Sequence, residues 1–339
     1  MKKSLIAIAA MAAVGCASAQ SSVTLFGVLD VGVAHLTGTG ISKTGVSTGG
    51  ANISRWGFRG TEDLGGGLAA SFWLEAGLDV DTGSGKGAGG GLSFNRRSTV
   101  SLSGPFGEVR LGRDDSATFL STLIFDPFLT NGVGGNMAFI MLGAPIQISN
   151  AVSYFLPGNL GGFYGQVQYA FGEPPATATN THQGNYAGAR FGYRSGPVNA
   201  ALAAGKLKGA TAAQDIEIRN VGASYDLGMV KPMLLWATEK TGTAKITALE
   251  LGLTAPVGAG EVRAQVSRYD TASSNADWRK YAVGYGYNLS KRTQVYGSYG
   301  HLSNKAGAQK SIGVQGLTAT GTTLGGKSSG YEVGIRHSF

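Results

Sequence analysis

From Leu68 onward the chain keeps a strict beat: Leu68, Ala70, Phe72, Leu74, Ala76, Leu78 and Val80 take every second position, with Ala69, Ser71, Trp73, Glu75, Gly77 and Asp79 between them. The beat returns at Phe163, Val167, Tyr169 and Phe171, at Tyr281, Val283, Tyr285, Tyr287 and Leu289, and at Tyr331, Val333, Ile335, His337 and Phe339. A period of two predicts strands with one apolar face and one face of mostly small polar residues. After the first twenty residues no stretch approaches the 18 or so apolar residues that a spanning helix needs. A soluble sandwich also alternates, but its water-facing side is normally rich in Lys and Glu. Here the polar face is small and mostly uncharged, and aromatics gather at strand ends, as in the girdles of a transmembrane barrel.

Short turns rich in Gly, Pro, Asp and Asn fall at 62–67, 104–107, 157–161, 196–197, 226–231, 255–260 and 288–291. Longer connections lie near 36–50, 81–93, 114–146, 172–184, 209–215, 241–244, 271–278 and 303–329. Seven tight ends and eight long ones join sixteen antiparallel strands, the long ones facing outward. Segments 198–208, 216–225 and 232–240 alternate least regularly, so fourteen or eighteen strands also fit. A barrel of this size is too wide for its side chains to fill, and water occupies its lumen.

Residues 114–146 stand out among the connections. The segment is far longer than the 12–15 residues beyond which an unstructured loop usually has a job. It is also apolar, with Phe119, Leu120, Leu123, Ile124, Phe125, Phe128, Phe139, Ile140, Met141 and Leu142. Folding onto the inner wall would bury these side chains and narrow the channel at mid-height. An external flap packed on its neighbours or on a partner subunit is the competing arrangement.

Composition agrees with an all-β chain: 56 of 339 residues are glycine and only 14% are charged. Some glycines belong to turns, but Gly27, Gly57, Gly165, Gly284, Gly286 and Gly297 lie within strands. Such small residues suit a lumen with nothing to pack against. At the N-terminus, Lys2 and Lys3, the apolar run from Leu5 to Gly15 and Ala17-Ser18-Ala19 form a signal peptide spanning 1–19, with the barrel domain at 20–339. A lipoprotein reading would process the chain at Val14-Gly15-Cys16, although Ala13 stands where a leucine is usual. Cleavage after Ala19 removes the only cysteine, and with it disulfides, thiol catalysis and cysteine metal sites. The formal charge of +8 includes no block of like charges, so nucleic acid is not an expected partner.

Strand parity sorts the arginines. With Trp56 and Phe58 facing lipid, Arg55 and Arg59 point inward, about 13 Å apart at roughly 3.3 Å per residue. Val100 and Leu102 facing out puts Arg97 inside and Arg96 outside; Val109 and Leu111 facing out puts Arg110 inside. Inward arginines concentrate anions and repel cations within a Debye length of about 8 Å. Asp114, Asp115 and Asp126 are the candidate opposing acids on the loop, and a positive wall facing a negative loop would orient polar solutes. The alternative is that Glu75, Asp79 or Glu108 satisfies these arginines and they only hold the lumen together.

Several motifs extend this picture. Ser22-Val23-Thr24-Leu25-Phe26-Gly27-Val28-Leu29-Asp30, the run Ser54-Arg55-Trp56-Gly57-Phe58-Arg59-Gly60-Thr61-Glu62-Asp63-Leu64 followed by three glycines, Asn95-Arg96-Arg97-Ser98, Gly107-Glu108-Val109-Arg110-Leu111-Gly112-Arg113 and the closing Phe339 span the mature chain. In these motifs the chain resembles the trimeric general porins of Gram-negative outer membranes, in their betaproteobacterial branch. The resemblance implies a homotrimer, pairing of first and last strands, and a third loop folded into the lumen. It also implies that Tyr331, Val333, Ile335 and Phe339 form the C-terminal signal read by the barrel-assembly machinery. One departure limits it: where the family has basic residues after the third loop, this chain reads Gln147-Ile148-Ser149-Asn150-Ala151 and Ser153. The resemblance therefore implies weak rather than strong anion preference.

No catalytic, cofactor or metal constellation emerges. Gly321 to Ser328 satisfies the phosphate-loop spacing but leads into a strand, where that pattern has no helix N-terminus to offer phosphate. His35, His182, His301 and His337 are widely spaced, and Ser338 points away from its neighbour His337. The expected function is passive diffusion of ions and small hydrophilic solutes across an outer membrane, in contact with its lipid and without a cofactor. A solute-specific channel, or a barrel serving as adhesin or phage receptor through 303–329, are the alternatives.

Overall fold

The computed structural model describes residues 22–339. Cys16, the signal peptide and its cleavage site lie outside them. The sixteen wall strands are β1 Ser22–Gly38, β2 Arg55–Gly65, β3 Leu68–Asp79, β4 Arg97–Gly104, β5 Gly107–Asp115, β6 Gln147–Phe155, β7 Phe163–Ala170 and β8 Tyr186–Ser195. The second half comprises β9 Val198–Leu207, β10 Ile216–Tyr225, β11 Lys231–Thr241, β12 Ala244–Val257, β13 Gly260–Thr271, β14 Trp278–Asn288, β15 Thr293–Asn304 and β16 Lys327–Ser338. Each is antiparallel to the next, and β1 closes the barrel against β16, from Val28↔Ser338 to Thr37↔Ser329. The count is sixteen, and the segments with the weakest alternation are as regular as the rest.

Closure is completed by Phe339, which exchanges two backbone hydrogen bonds of 3.1 Å with Gly27. The pairing removes the free sheet edges that lipid could not satisfy.

The outer face is apolar: Val23, Leu25, Val100, Leu202, Leu251 and Val333 are all more than half exposed. A water-soluble surface rarely carries so continuous an apolar area. In a bilayer it is the favourable face.

Two connections differ from their expected shape. The first is a hairpin turning at Thr39-Gly40; its return strand, Ile41–Thr48, pairs with the upper part of β1, and β2 pairs with the lower part. Residues 49–54 step inward between them, held by fully buried Asp30, which accepts from the amides of Ala51 (2.9 Å) and Asn52 (2.6 Å). Alternation cannot reveal that break, because side-chain parity resumes on the same faces. The eighth connection does not face wholly outward: Ala308 and Ile312 are buried with Leu36 and Val133 of the interior, and the Gln315 carbonyl accepts from the amide of Thr48 at 3.0 Å.

Candidate functional site: the channel constriction

The connection between β5 and β6 enters the barrel and lies on the inner wall from β7 round to β16. It carries one short helix, α1 (Phe119–Ile124). Phe125, Val133 and Met141 are buried there against Leu235, Tyr269, Trp278 and Leu302. Each such large apolar side chain contributes about 1.5–3 kcal/mol through burial. This is the arrangement expected from the loop's apolar content, and it excludes the external flap.

The wall makes room with glycine. A Cβ on Gly222 would lie 2.0 Å from the Phe125 ring, one on Gly252 2.5 Å from Pro127, and one on Gly300 2.3 Å from the Val133 carbonyl. The reading of the strand glycines thus needs correcting: they do not mark an empty lumen throughout, because several form the seats of the loop.

Buried wall charges fix the loop's backbone. Glu239, fully buried, accepts from the amides of Met141 (3.1 Å), Leu142 (2.5 Å) and Ala144 (3.2 Å). Glu332 accepts from Val133 at 3.3 Å, and the Lys280 ammonium donates to the Gly135 carbonyl. Arg190 donates to Ser121 (3.0 Å) and Tyr164 (3.2 Å). The parity that places Arg55 inward also places these four inward, since Trp236, Tyr331, Tyr281 and Phe191 face lipid. The sequence points to acids on the loop; the loop's anchors on the wall carry the same parity signal but no motif of their own.

Asp126 is the clearest correction among the candidate acids. It is fully buried behind the loop and accepts from the amides of Phe128, Thr130 and Asn136, each at 2.8 Å. Burial pushes its carboxyl above the ordinary value, against those hydrogen bonds and the field of Lys280. A carboxylate that must satisfy three loop amides cannot also face the solute path. Asp114 and Asp115 belong to the end of wall strand β5. The loop face toward the passage is instead mostly apolar, with Phe119, Leu123, Ile124, Leu129 and Phe139 beside Thr130 and Asn131, across a space of about 570 Å³ from the arginines.

On the facing wall, Arg55, Arg59, Arg97 and Arg110 all point inward. Arg55 lies 3.5 Å from Glu75 and donates to Asn52 at 2.8 Å. Arg97 lies 3.7 Å from Asp114 and stacks on Trp73 at 4.6 Å. Arg110 pairs with Glu108 (2.8 Å) and Asp114 (2.5 Å). Arg59 has no acid partner among the described residues; its guanidinium sits over the Phe26 and Trp73 rings at 5.3 and 5.1 Å. Arg96 must be moved inside: it pairs with Glu75 at 2.6 Å. It precedes the first residue of β4, so strand parity does not govern it. Gln147 donates to Asp115 at 2.8 Å, and Ser153 faces inward opposite Arg110. Neither adds charge.

A wide barrel, an inward-folded third loop and a charged wall facing it are now in place, and comparison with known proteins identifies the group. The Gram-negative porin family profile matches residues 5–307. The chain belongs to the Gram-negative porin family. It is similar to outer membrane porin protein 32 of Delftia acidovorans, 42% identical over the full length of both chains, and to an outer membrane porin of Bordetella pertussis at 29%, also over both full lengths. Among solved structures it resembles the anion-selective porin from Comamonas acidovorans, with a TM-score of 0.87 and 40% identity across 94% of this chain and 100% of that one. The trimer form of Vibrio cholerae OmpT, at 14% identity, TM-score 0.68 and coverage of 94% and 99%, shares the fold. This porin therefore resides in the outer membrane and forms a water-filled channel. In the porin, residues 321–326 form loop and Lys327 and Ser328 open β16, with no helix following, and His337 faces outward beside Thr293, 2.9 Å from its hydroxyl.

Proposed function

We propose that the channel passes ions and small hydrophilic solutes by passive diffusion with a weak preference for anions, its narrowest section lying between the arginine wall and the apolar face of the third loop. The observation that carries the reading is the charge balance on that wall. Arg55, Arg59, Lys86, Arg96, Arg97 and Arg110 face Glu75, Asp79, Glu108, Asp114 and Asp115, leaving one net positive charge; Lys86 is matched by Asp79 at 3.0 Å, and Arg59 is the cation without an acid. A mostly compensated wall gives a modest potential in water, and so a modest preference.

The mature chain of this reading begins at Gln20 after removal of 1–19, is assembled through Tyr331, Val333, Ile335 and Phe339, and functions as a homotrimer. The trimer form of Vibrio cholerae OmpT, which shares the fold, supports the last point.

Single-channel recording in a salt gradient tests the channel reading; no conductance would refute it. Arg59→Gln is the selective perturbation. A unit charge about 7 Å from a passing ion in water, screened over about 8 Å, is worth roughly 0.25 kcal/mol. The effect has opposite signs for anion and cation, so the anion-to-cation permeability ratio should fall about twofold. Combined neutralisation of Arg55, Arg59 and Arg97 should shift the reversal potential further toward cations. An unchanged potential would show that the wall does not set the preference.

A further inference from the structure

The third loop carries backbone strain that burial does not repay. Leu129 and Thr130 both sit in the left-handed region, at φ 53° and 61°, where a Cβ crowds the backbone carbonyl and glycine is the usual residue. Asp126 holds the pair there: its carboxylate accepts from the amides of Phe128 and Thr130, and its carbonyl accepts from the Leu129 amide at 3.0 Å. The result is a leucine left 36% exposed on the channel side of the loop. Leu123 and Ile124 of α1 share that face, as does Phe139, whose ring meets Phe119 edge-on at 5.6 Å. Strain of this kind collects at ligand-handling sites, where a chain is shaped for function at the expense of stability. Across the same space, Arg97 donates its Nε–H to Thr99 at 3.1 Å, and Asp114 lies 3.7 Å away, beyond a hydrogen bond. The other N–H groups of the Arg97 guanidinium therefore have no acceptor among the described residues.

We propose that the constriction retains small monocarboxylates with an apolar body, of which an aromatic carboxylate such as benzoate is the simplest, its carboxylate on Arg97 and its ring against Leu123, Leu129 and Phe139. This names the solute class of the channel described above and rests on that reading. A guanidinium fork takes a carboxylate in paired, charge-assisted hydrogen bonds. Facing it, the exposed leucines and phenylalanine gain by covering apolar surface from water. A solute with charge alone, such as acetate, uses only the wall; a neutral aromatic uses only the loop. The space of about 570 Å³ between the two holds one ring with water around its carboxylate. Carboxylates on the loop face would favour dipolar solutes instead, but Asp126 is turned behind the loop onto three of its amides. The same hydrogen bonds that withdraw that charge set the strained turn, so one residue both clears the face of acid and presents Leu129 on it.

The test records chloride current through the purified porin in planar bilayers while benzoate, acetate or benzamide is titrated in. Benzoate should halve the current at a concentration about eightfold below acetate, the worth of laying roughly 50 Å² of ring against the apolar face. Benzamide, with the ring but no charge, should block no better than acetate. Leu123→Gln/Leu129→Gly removes two side chains of the apolar face, with glycine suiting the backbone at the strained position, and should bring benzoate to within about twofold of acetate. Arg97→Gln should weaken block by benzoate about tenfold, the loss of a charge-assisted contact. Heat-modifiable electrophoretic mobility verifies that each variant is folded. Benzoate blocking no better than acetate, equal losses for both anions in the loop variant, or unchanged benzoate block in Arg97→Gln would each overturn the proposal. A folded protein that passes no current at all would instead overturn the channel reading on which it rests.

Discussion

Glu239 offers the sharpest test of how the third loop is held. Its carboxylate receives three loop amides within 3.2 Å and is itself fully buried. Glu239→Gln keeps the volume and one acceptor oxygen but turns the other oxygen into an NH₂ group, which faces amide donors it cannot accept. One charge-assisted hydrogen bond is lost outright, the others weaken to neutral strength, and at least one buried amide is left unpaired. With hydrogen bonds to charged groups worth about 1.5–3 kcal/mol, a loss of roughly 2 kcal/mol in local docking is a conservative figure. Local opening free energies are read by amide hydrogen exchange, and 2 kcal/mol corresponds to about a 30-fold acceleration. The acceleration should be confined to residues 137–146. Residues 125–133 keep Asp126, Glu332 and the buried Phe125 and Val133, and their protection should be unchanged. Unaltered exchange over 137–146, or acceleration spread evenly over the loop, would refute the view that this arm is pinned at one carboxylate.

Gly222→Ala places a methyl group where the Phe125 ring now lies. The loop should be driven off its seat toward the arginine wall, at an overpacking cost of about 1–3 kcal/mol, and single-channel conductance should fall; an unchanged or higher conductance would count against the seat. Asp215 gives a pH signature. Burial alone would raise its carboxyl, but the Gly209 amide and the ammonium groups of Lys208 and Lys206 outweigh it and hold the value at about 2, below the ordinary 3.8. A depressed acid stabilises the fold above its unfolded pKa and loses that contribution as pH falls through the folded one. Thermal unfolding of the native protein and of Asp215→Asn should therefore differ above about pH 4 and converge near pH 2; a difference independent of pH would refute the charge assignment.

Much of this porin is written in the chain itself. The outward apolar face and the inward course of Arg55, Arg59, Arg97 and Arg110 follow from a period of two, because a strand side chain has only two directions available; turn residues mark the seven tight ends, while the count of sixteen, left open between fourteen and eighteen by the irregular segments, is fixed by the closed barrel. The apolar content of 114–146 likewise requires a buried seat. Which carboxylates face the solute lies beyond any local pattern. Asp126 carries the same charge as Asp114, yet it folds back on its own loop while Asp114 joins Arg97 and Arg110. Arg96 and Arg97 are adjacent and identical, and parity separates them wrongly because the strand begins between them. Alternation fixes direction only where the backbone is extended. The loop's seat, with glycines on β10, β12 and β15 and anchors at Glu239, Lys280 and Glu332, is a coincidence of positions brought together by barrel closure. Only the tertiary structure could decide it, since long-range register rather than local sequence sets which side chains meet across the lumen.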